Sequence, residues 1–294
     1  MRSSGETTMS EKKITGAALV LEGGGMRGIY TTGVLDFFLD RQWYFDYIIG
    51  VSAGASHALS YITRQKDRAR RVNVNYCRRS DYMGLRCLFT EGSLFGMDLL
   101  FHKIPYRYDL FDFEAFEKNV GRYYAVATDM ETGKAAYLAP RKAADILPAA
   151  QASCSLPLVS PPVRIAGTPY LDGGIADSIP VERALADGNR KLVVVLTQPA
   201  GYRKGTASHR ALFRAVYRKY PAFASAMETR GERYNRTLDL VDRLEADGTA
   251  LVIRPSPQPG LDRLERNPKL LNGLHASGYA DGARLEAALR DFCE

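Results

Sequence analysis

The feature that most constrains this chain is a five-residue run, Gly50-Val51-Ser52-Ala53-Gly54, set between an apolar stretch and a run of small residues. Tyr47-Ile48-Ile49-Gly50-Val51 reads as a buried strand, and Ala53 to Tyr61 carries the small side chains that let a helix pack tightly on a sheet. A serine in G-x-S-x-G between strand and helix sits on a sharp turn that lifts its hydroxyl clear of the backbone. Gly50 and Gly54 on either side relieve crowding at such a turn. Alone, the same run is also what a serine N-cap with incidental glycines looks like.

The pattern of apolar run, glycine turn and helix recurs. Ala17-Ala18-Leu19-Val20-Leu21 reads as a strand that runs into Gly23-Gly24-Gly25-Met26-Arg27-Gly28, after which Val34, Leu35, Phe38 and Leu39 form a helical stripe. Tyr123 to Thr128 and Ala135 to Leu138 read as two strands joined through Glu131-Thr132-Gly133-Lys134. Asp145 to Ala152 and Val181 to Ala186 read as helices, and Lys191 to Thr197 is the clearest buried strand. This alternation predicts an α/β fold, a mainly parallel sheet sandwiched by helices. Beyond Pro199 the chain turns helical and charge-rich from His209 to Asp247, with one late strand at Leu251-Val252-Ile253. The expected organisation is a loose tail over 1–13, a catalytic α/β portion over 14–200 and a mostly helical C-terminal extension over 201–294.

Bulk properties narrow the class. At 294 residues with 46% hydrophobic and 25% charged side chains, the chain can bury a large core and is not of disordered composition. It has no apolar run of about 18 residues to cross a membrane, and Met1 to Lys13 lacks the apolar stretch of a secretory signal. Four scattered cysteines (Cys77, Cys87, Cys154, Cys293) have no metal-type spacing, so a cytoplasmic location is expected. The formal charge of +7 is concentrated. Arg64 to Arg79 holds seven basic residues beside Asp67, and Pro199 to Pro221 holds six and no acid. In the second stretch Arg210, Arg214 and Arg218 alternate with Leu212, Phe213, Val216, Tyr217 and Tyr220 at helical spacing. Such a helix either lies peripherally on an anionic membrane surface or packs its apolar face on the core. No nucleic-acid motif accompanies it, so nucleic acid is not an expected partner.

Two further motifs carry chemistry. Consecutive glycines at Gly23, Gly24 and Gly25 turn several N–H groups into one small volume, at a helix N-terminus closed by Arg27 and Gly28. That nest suits an anion, either a phosphate or the oxyanion of a tetrahedral intermediate. The run also satisfies G-x-G-x-x-G, which calls for an acid at the end of the second strand. The nearest, Asp46, falls before the apolar run Tyr47–Val51, and that run leads into Gly-Val-Ser instead. A nucleotide-binding protein using the loop for phosphate stays open as an alternative. Asp172-Gly173-Gly174 is by itself a common turn, but a nucleophilic serine needs a base.

The three motifs, in this order, resemble the patatin-like phospholipase family: Gly-Gly-Gly-x-Arg-Gly, then G-x-S-x-G, then a late Asp-Gly-Gly. Ala127-Thr128-Asp129 and the segment Ala150 to Pro161 look similar to family segments too, and the resemblance covers roughly Ala17 to Thr197. It implies a serine hydrolase that cleaves lipid acyl esters through a Ser–Asp dyad, with no metal or organic cofactor. Ser52 then takes the nucleophile role and Asp172 that of general base. Gly23, Gly24, Gly25, Arg27 and Gly28 form the oxyanion loop, while Gly50, Gly54, Gly173 and Gly174 support the motifs. Asp172 is expected in a dry cleft, where burial raises its pKa. Four histidines are present; His57 follows Ser52 on one helix and points away from the turn, whereas His209 and His275 stay open as bases and His102 has no motif. A catalytically silent lipid-binding scaffold is the remaining alternative.

Overall fold

A computed structural model of the chain describes residues 12–119, 121–205, 209–257 and 262–293. The strands are β1 (Lys12–Leu21), β2 (Trp43–Val51), β3 (Arg122–Asp129), β4 (Ala135–Leu138), β5 (Val163–Ile165), β6 (Thr168–Asp172), β7 (Lys191–Val195) and β8 (Ala250–Ile253). They form one sheet in the order β5-β6-β3-β2-β1-β7-β8, with β4 paired to β3. From β3 to β8 along this order every pairing is parallel, while β4, β5 and β6 add antiparallel pairs at one side.

The first helices are α1 (Ile29–Asp40), α2 (Ala53–Ile62), α3 (Arg68–Val74) and α4 (Leu85–Glu91). In the middle lie α5 (Phe113–Lys118), α6 (Ala143–Cys154) and α7 (Val181–Ala186). After residue 200 come α8 (Arg210–Val216), α9 (Pro221–Ala246), α10 (Pro268–Arg284) and α11 (Glu286–Cys293). Strand side chains alternate between the two faces of the sheet. Leu19, Leu21, Ile48, Val193 and Val195 pack under α1, α2, α6, α10 and α11. Ala18, Val20, Ile49, Val51 and Val194 pack under α7 and the long α9. The protein is thus an α/β sandwich with a helical C-terminal region, and that region covers both faces of the sheet.

Contact between α1 and α10 is made backbone to backbone. A Cβ at Gly33 would lie 1.9 Å from the His275 carbonyl oxygen, and one at Gly278 would lie 2.0 Å from that of Tyr30. Around this seam Tyr30 donates to Asp281 at 2.7 Å and Tyr279 to Asp40 at 2.8 Å.

Several elements outrun the apolar stretches that announce them. β1 starts at Lys12 and β2 at Trp43, because Lys12, Lys13 and Ile14 pair with Trp43, Tyr44 and Phe45 before a register shift toward Ala18. Backbone pairing, blind to side-chain polarity, thereby takes Lys12 and Lys13 into the sheet; residues 1–11 of the expected tail lie outside the described residues. Asp46 correspondingly sits inside β2 rather than before it, still short of the strand's end. A π-type helix over Leu99–Tyr108, with Pro105 inside it, has no counterpart in the periodicity.

The first basic stretch is largely committed to partners. Lys66 pairs with Asp40, Arg70 with Asp67, Arg71 with Asp109 and Arg79 with Asp81. In the second stretch Arg214 pairs with Glu228 at 2.6 Å, while Leu212 and Val216 stay 47% and 51% exposed. Among the described residues no helix is long and apolar enough to cross a membrane.

Candidate active site

Strand β3 brings the two candidate residues together. Val51 at the end of β2 pairs with Val126, and the next residue of β3, Ala127, pairs with Asp172 at the end of β6. The residue after Val51 is Ser52, so serine and aspartate emerge side by side at one edge.

Ser52 adopts φ +53° and ψ −123°, a conformation that a non-glycine residue takes only when its surroundings impose it. The surroundings are visible. The Ser52 N–H donates to Ser153 Oγ at 2.8 Å, and Ser153 Oγ donates to the Val126 carbonyl at 2.6 Å. A Cβ at Gly54 would meet the Leu21 and Glu22 carbonyl oxygens at 2.7 Å, and one at Gly50 would meet Ala55 N at 2.7 Å. Both glycines let α2 start tight against the strand ends.

Asp172 is 2% exposed. Its N–H donates to the Ser155 carbonyl at 2.7 Å, and its Oδ1 accepts from the Gly174 N–H at 2.8 Å. Oδ2 has no hydrogen-bond partner among the described residues. Burial raises the Asp172 pKa above the ordinary carboxylate value; the nearby Ser52 hydroxyl and the Arg230 charge are the chief opposing influences. Gly173 presses on β3, where a Cβ would come 2.0 Å from the Val126 carbonyl oxygen.

The glycine loop lies directly over the serine, since a Cβ at Gly23 would be 3.0 Å from Ser52 Cβ. Gly24 abuts Thr197, Gly25 has φ +57° beneath the Arg263 carbonyl, and Gly28 touches Ala53 and His57. The Met26 N–H donates to the Arg263 carbonyl at 3.0 Å and the Arg27 N–H to the Gly24 carbonyl at 3.3 Å. The Gly23, Gly24 and Gly25 N–H groups have no acceptor among the described residues, which leaves them as the loop's available donors. With its amide oxygen turned inward, Gln198 accepts from Arg27 Nη2 at 2.9 Å.

A cavity of about 340 Å³ opens onto these groups. One wall is apolar, lined by Leu59, Leu94, Phe95, Met97, Leu100, Phe101 and Phe111. The other carries Glu22, Arg27, Asp172, Lys204, Arg230 and Arg263. His57 reaches the cavity but is braced at Nε2 by Asn73, 3.2 Å away, and burial lowers its pKa to about 4. His102, His209 and His275 do not line it; His275 Nδ1 engages Thr32 Oγ1 at 2.9 Å on the far side of α1. The one grouping with metal-ligand character among the described residues is Asp36, Asp67 and His275. Asp67 pairs with Arg70 and Arg71, and His275 engages Thr32 through Nδ1 while its Nε2 lies 3.7 Å from Asp36 Oδ2.

Sequence motifs point to Ser52, Asp172 and the glycine loop but not to Ser153, Lys204, Arg230 or Arg263. Ser153 falls in the Ala150–Pro161 segment already singled out, and Lys204 in the acid-free run after Pro199. Arg230 and Arg263 carry no local signal, because they reach the cavity only through the packing of α9 and the loop before α10.

Fold and cavity together define a layered α/β protein whose amphiphilic pocket ends on a strained serine. A family model described as patatin-like phospholipase matches residues 19–185, more than half of the chain, and the chain belongs to that family. A second model, a domain of unknown function (DUF6363), matches residues 220–294. The chain is 35% identical over 187 residues to the uncharacterized protein YjjU of Escherichia coli K12, covering 62% of this chain and 52% of that one. It therefore spans about half the length of this curated relative. VipD from Legionella pneumophila aligns with a TM-score of 0.43 and 14% identity, over 92% of this chain and 67% of that one.

Proposed function

We propose that the protein hydrolyses lipid acyl esters with Ser52 as nucleophile and Asp172 as its acid–base partner. The observation that carries this reading is the unpartnered Oδ2 of buried Asp172 beside the Ser52 hydroxyl. An aspartate with an unsatisfied oxygen in a dry setting has a raised pKa and a vacant proton-accepting site, both of which favour taking a proton from serine. Ser52 Oγ attacks the acyl carbonyl carbon as its proton passes to Asp172. The oxyanion is held by the Gly24 and Gly25 N–H groups, where each donor is worth about 3–4 kcal/mol of barrier. Collapse breaks the ester C–O bond, and Asp172 returns the proton to the departing alcohol. Water, deprotonated by the same carboxylate, then attacks the acyl-enzyme, the acyl carbon–Ser52 Oγ bond breaks, and Asp172 returns the proton to Ser52 as the fatty acid leaves. The apolar wall from Leu94 to Phe111 accommodates the acyl chain.

The test is intact-protein mass after incubation with a fluorophosphonate, alongside ester turnover. Wild type should gain one adduct, whereas Ser52→Ala should gain none and turn over no ester. Asp172→Asn should lose turnover by at least about a thousandfold. A folded wild-type protein that takes no adduct would sink the hydrolase and favour a silent scaffold.

Peripheral contact with an anionic membrane belongs to the same reading, through α8. Its exposed Leu212 and Val216 stand beside Arg210, suited to an anionic lipid surface. Co-flotation with anionic vesicles at low salt should be seen for wild type and lost in Leu212→Glu; equal binding by both would remove α8 as the contact.

A further inference from the structure

The polar wall of the cavity holds more positive charge than the proposed chemistry uses. Arg27, Lys204, Arg230 and Arg263 all line it, and none forms an ion pair with an acid among the described residues. Arg27, Lys204 and Arg230 are held instead by neutral groups. Arg230 Nε donates to the Gly174 carbonyl at 2.6 Å. The Lys204 backbone is clamped on both sides by the Asn235 amide of α9, at 2.8 and 2.9 Å, and its ammonium sits 3.9 Å over the Tyr234 ring. Arg27 has Gln198 for a partner, and its Nε has none among the described residues.

The acids nearby offset this charge only in part, Glu22 acting on Arg27 and Lys204 and Asp172 on Lys204 and Arg230. Glu22 is occupied by the Thr197 N–H at 2.6 Å and the Tyr234 hydroxyl at 2.7 Å. Asp172 faces Ser52, and Asp262 is exposed. The cations consequently act on one another: burial and then Arg230 and Arg263 lower the Lys204 pKa to about 7, and burial and Arg263 lower that of Arg27. Buried charges of one sign persist when a counter-charge completes them.

We propose that Lys204, Arg230 and Arg263, with Arg27 at their edge, form a phosphate-binding subsite of the cavity, supplied mainly by the region after residue 200. Forked guanidinium groups and an ammonium match a tetrahedral dianion. Its position follows from Gly174, where an added Cβ would lie 3.0 Å from Asp172 Oδ1 and 3.3 Å from Arg230 Nη2. The anion site thus adjoins the proposed reacting groups, as the phosphate of a phosphate-bearing acyl ester would. This placement rests on the hydrolase reading; the phosphate site itself does not. It also gives the segment matched only as a domain of unknown function a part in the cavity, through Arg230 and Arg263.

The experiment has a binding arm and a kinetic arm, with circular dichroism checking the fold of each variant. In the first, inorganic phosphate is titrated calorimetrically into Ser52→Ala protein, alone and combined with Lys204→Gln and Arg263→Gln. Binding to Ser52→Ala should weaken at least tenfold in the combined variant and return when position 204 carries arginine (Lys204→Arg). In the second, kcat/KM is measured for a lysophospholipid and for an uncharged monoacylglycerol. The ratio between them should fall at least tenfold in Lys204→Gln/Arg263→Gln. Phosphate binding with an unchanged ratio would support a site for free phosphate and overturn the headgroup assignment. No phosphate binding and an unchanged ratio would overturn the subsite. Absent ester turnover with phosphate binding that depends on Lys204 would overturn the hydrolase and support the subsite.

Discussion

Ser52 sits at a backbone conformation that its neighbours enforce, and Asp172 at a protonation state that its burial shifts. The second fact sets the pH response. An acid whose folded pKa lies above its ordinary value is ionised only at pH above that raised value, and a general base must be ionised. For an uncharged ester, kcat/KM should therefore be flat at high pH and fall about tenfold per unit below the Asp172 pKa, with a midpoint above about 4. Arg230 opposes the rise in Asp172, so Arg230→Gln should move the midpoint upward. A pH–rate profile for both proteins checks this, and a wild-type limb at or below ordinary aspartate would contradict the dyad. At this scale the sequence was legible where chemistry is local. G-x-S-x-G encodes its elbow within five residues, and the glycine loop encodes its nest within six. Asp172 was legible only by the company of the other motifs. Lys204, Arg230 and Arg263 were not legible together, since the 58 positions between Lys204 and Arg263 say nothing about which side chains share a wall.

Strands and helices were readable wherever polarity tracks burial, as at β7 and α7, and less so where backbone pairing or close approach decides. The starts of β1 and β2 belong to the first kind of exception. The α1–α10 seam belongs to the second, because Gly33 and Gly278 look unremarkable in a one-dimensional pattern. In an exposed helix, glycine to alanine gains about 1 kcal/mol. Here a Cβ at Gly278 would meet the Tyr30 carbonyl oxygen at 2.0 Å, so the sign reverses. Gly278→Ala should lose at least about 3 kcal/mol in a urea titration, and a neutral result would mean the helices are not in backbone contact. Asp36, buried in α1, offers a pH-linked companion. Burial raises its pKa to about 6. Its contribution is therefore complete below the unfolded value near 4 and is lost as pH rises through about 6. Asp36→Asn, which keeps an acceptor for the Asp67 N–H, should stabilise the fold by about 1–3 kcal/mol at pH 8 and by nearly nothing at pH 4. An equal gain at both pH values would place the cause elsewhere.

At the scale of the whole molecule, a division near residue 200 marks chain order but not a gap in the core. β8 extends the sheet beside β7, α9 covers one face and α10 the other. Neither part of the chain can bury its strands alone, so we expect the two to unfold as one cooperative unit. The single tryptophan provides the probe. Trp43 packs edge-on against Phe37 at 5.9 Å, and Phe37 packs against Tyr279 of α10 at 5.8 Å, so its fluorescence reports the junction between early and late segments. Far-ultraviolet circular dichroism is weighted instead toward the helices, including the long α9. Urea curves from the two signals should share one midpoint, and Gly278→Ala should shift both together. Separate midpoints, with the helical signal lost first, would show that the region after residue 200 releases from a standing α/β portion. The cavity would then survive without Lys204, Arg230 and Arg263, and its anion selectivity should vanish at that first midpoint while fluorophosphonate labelling of Ser52 persisted to the second.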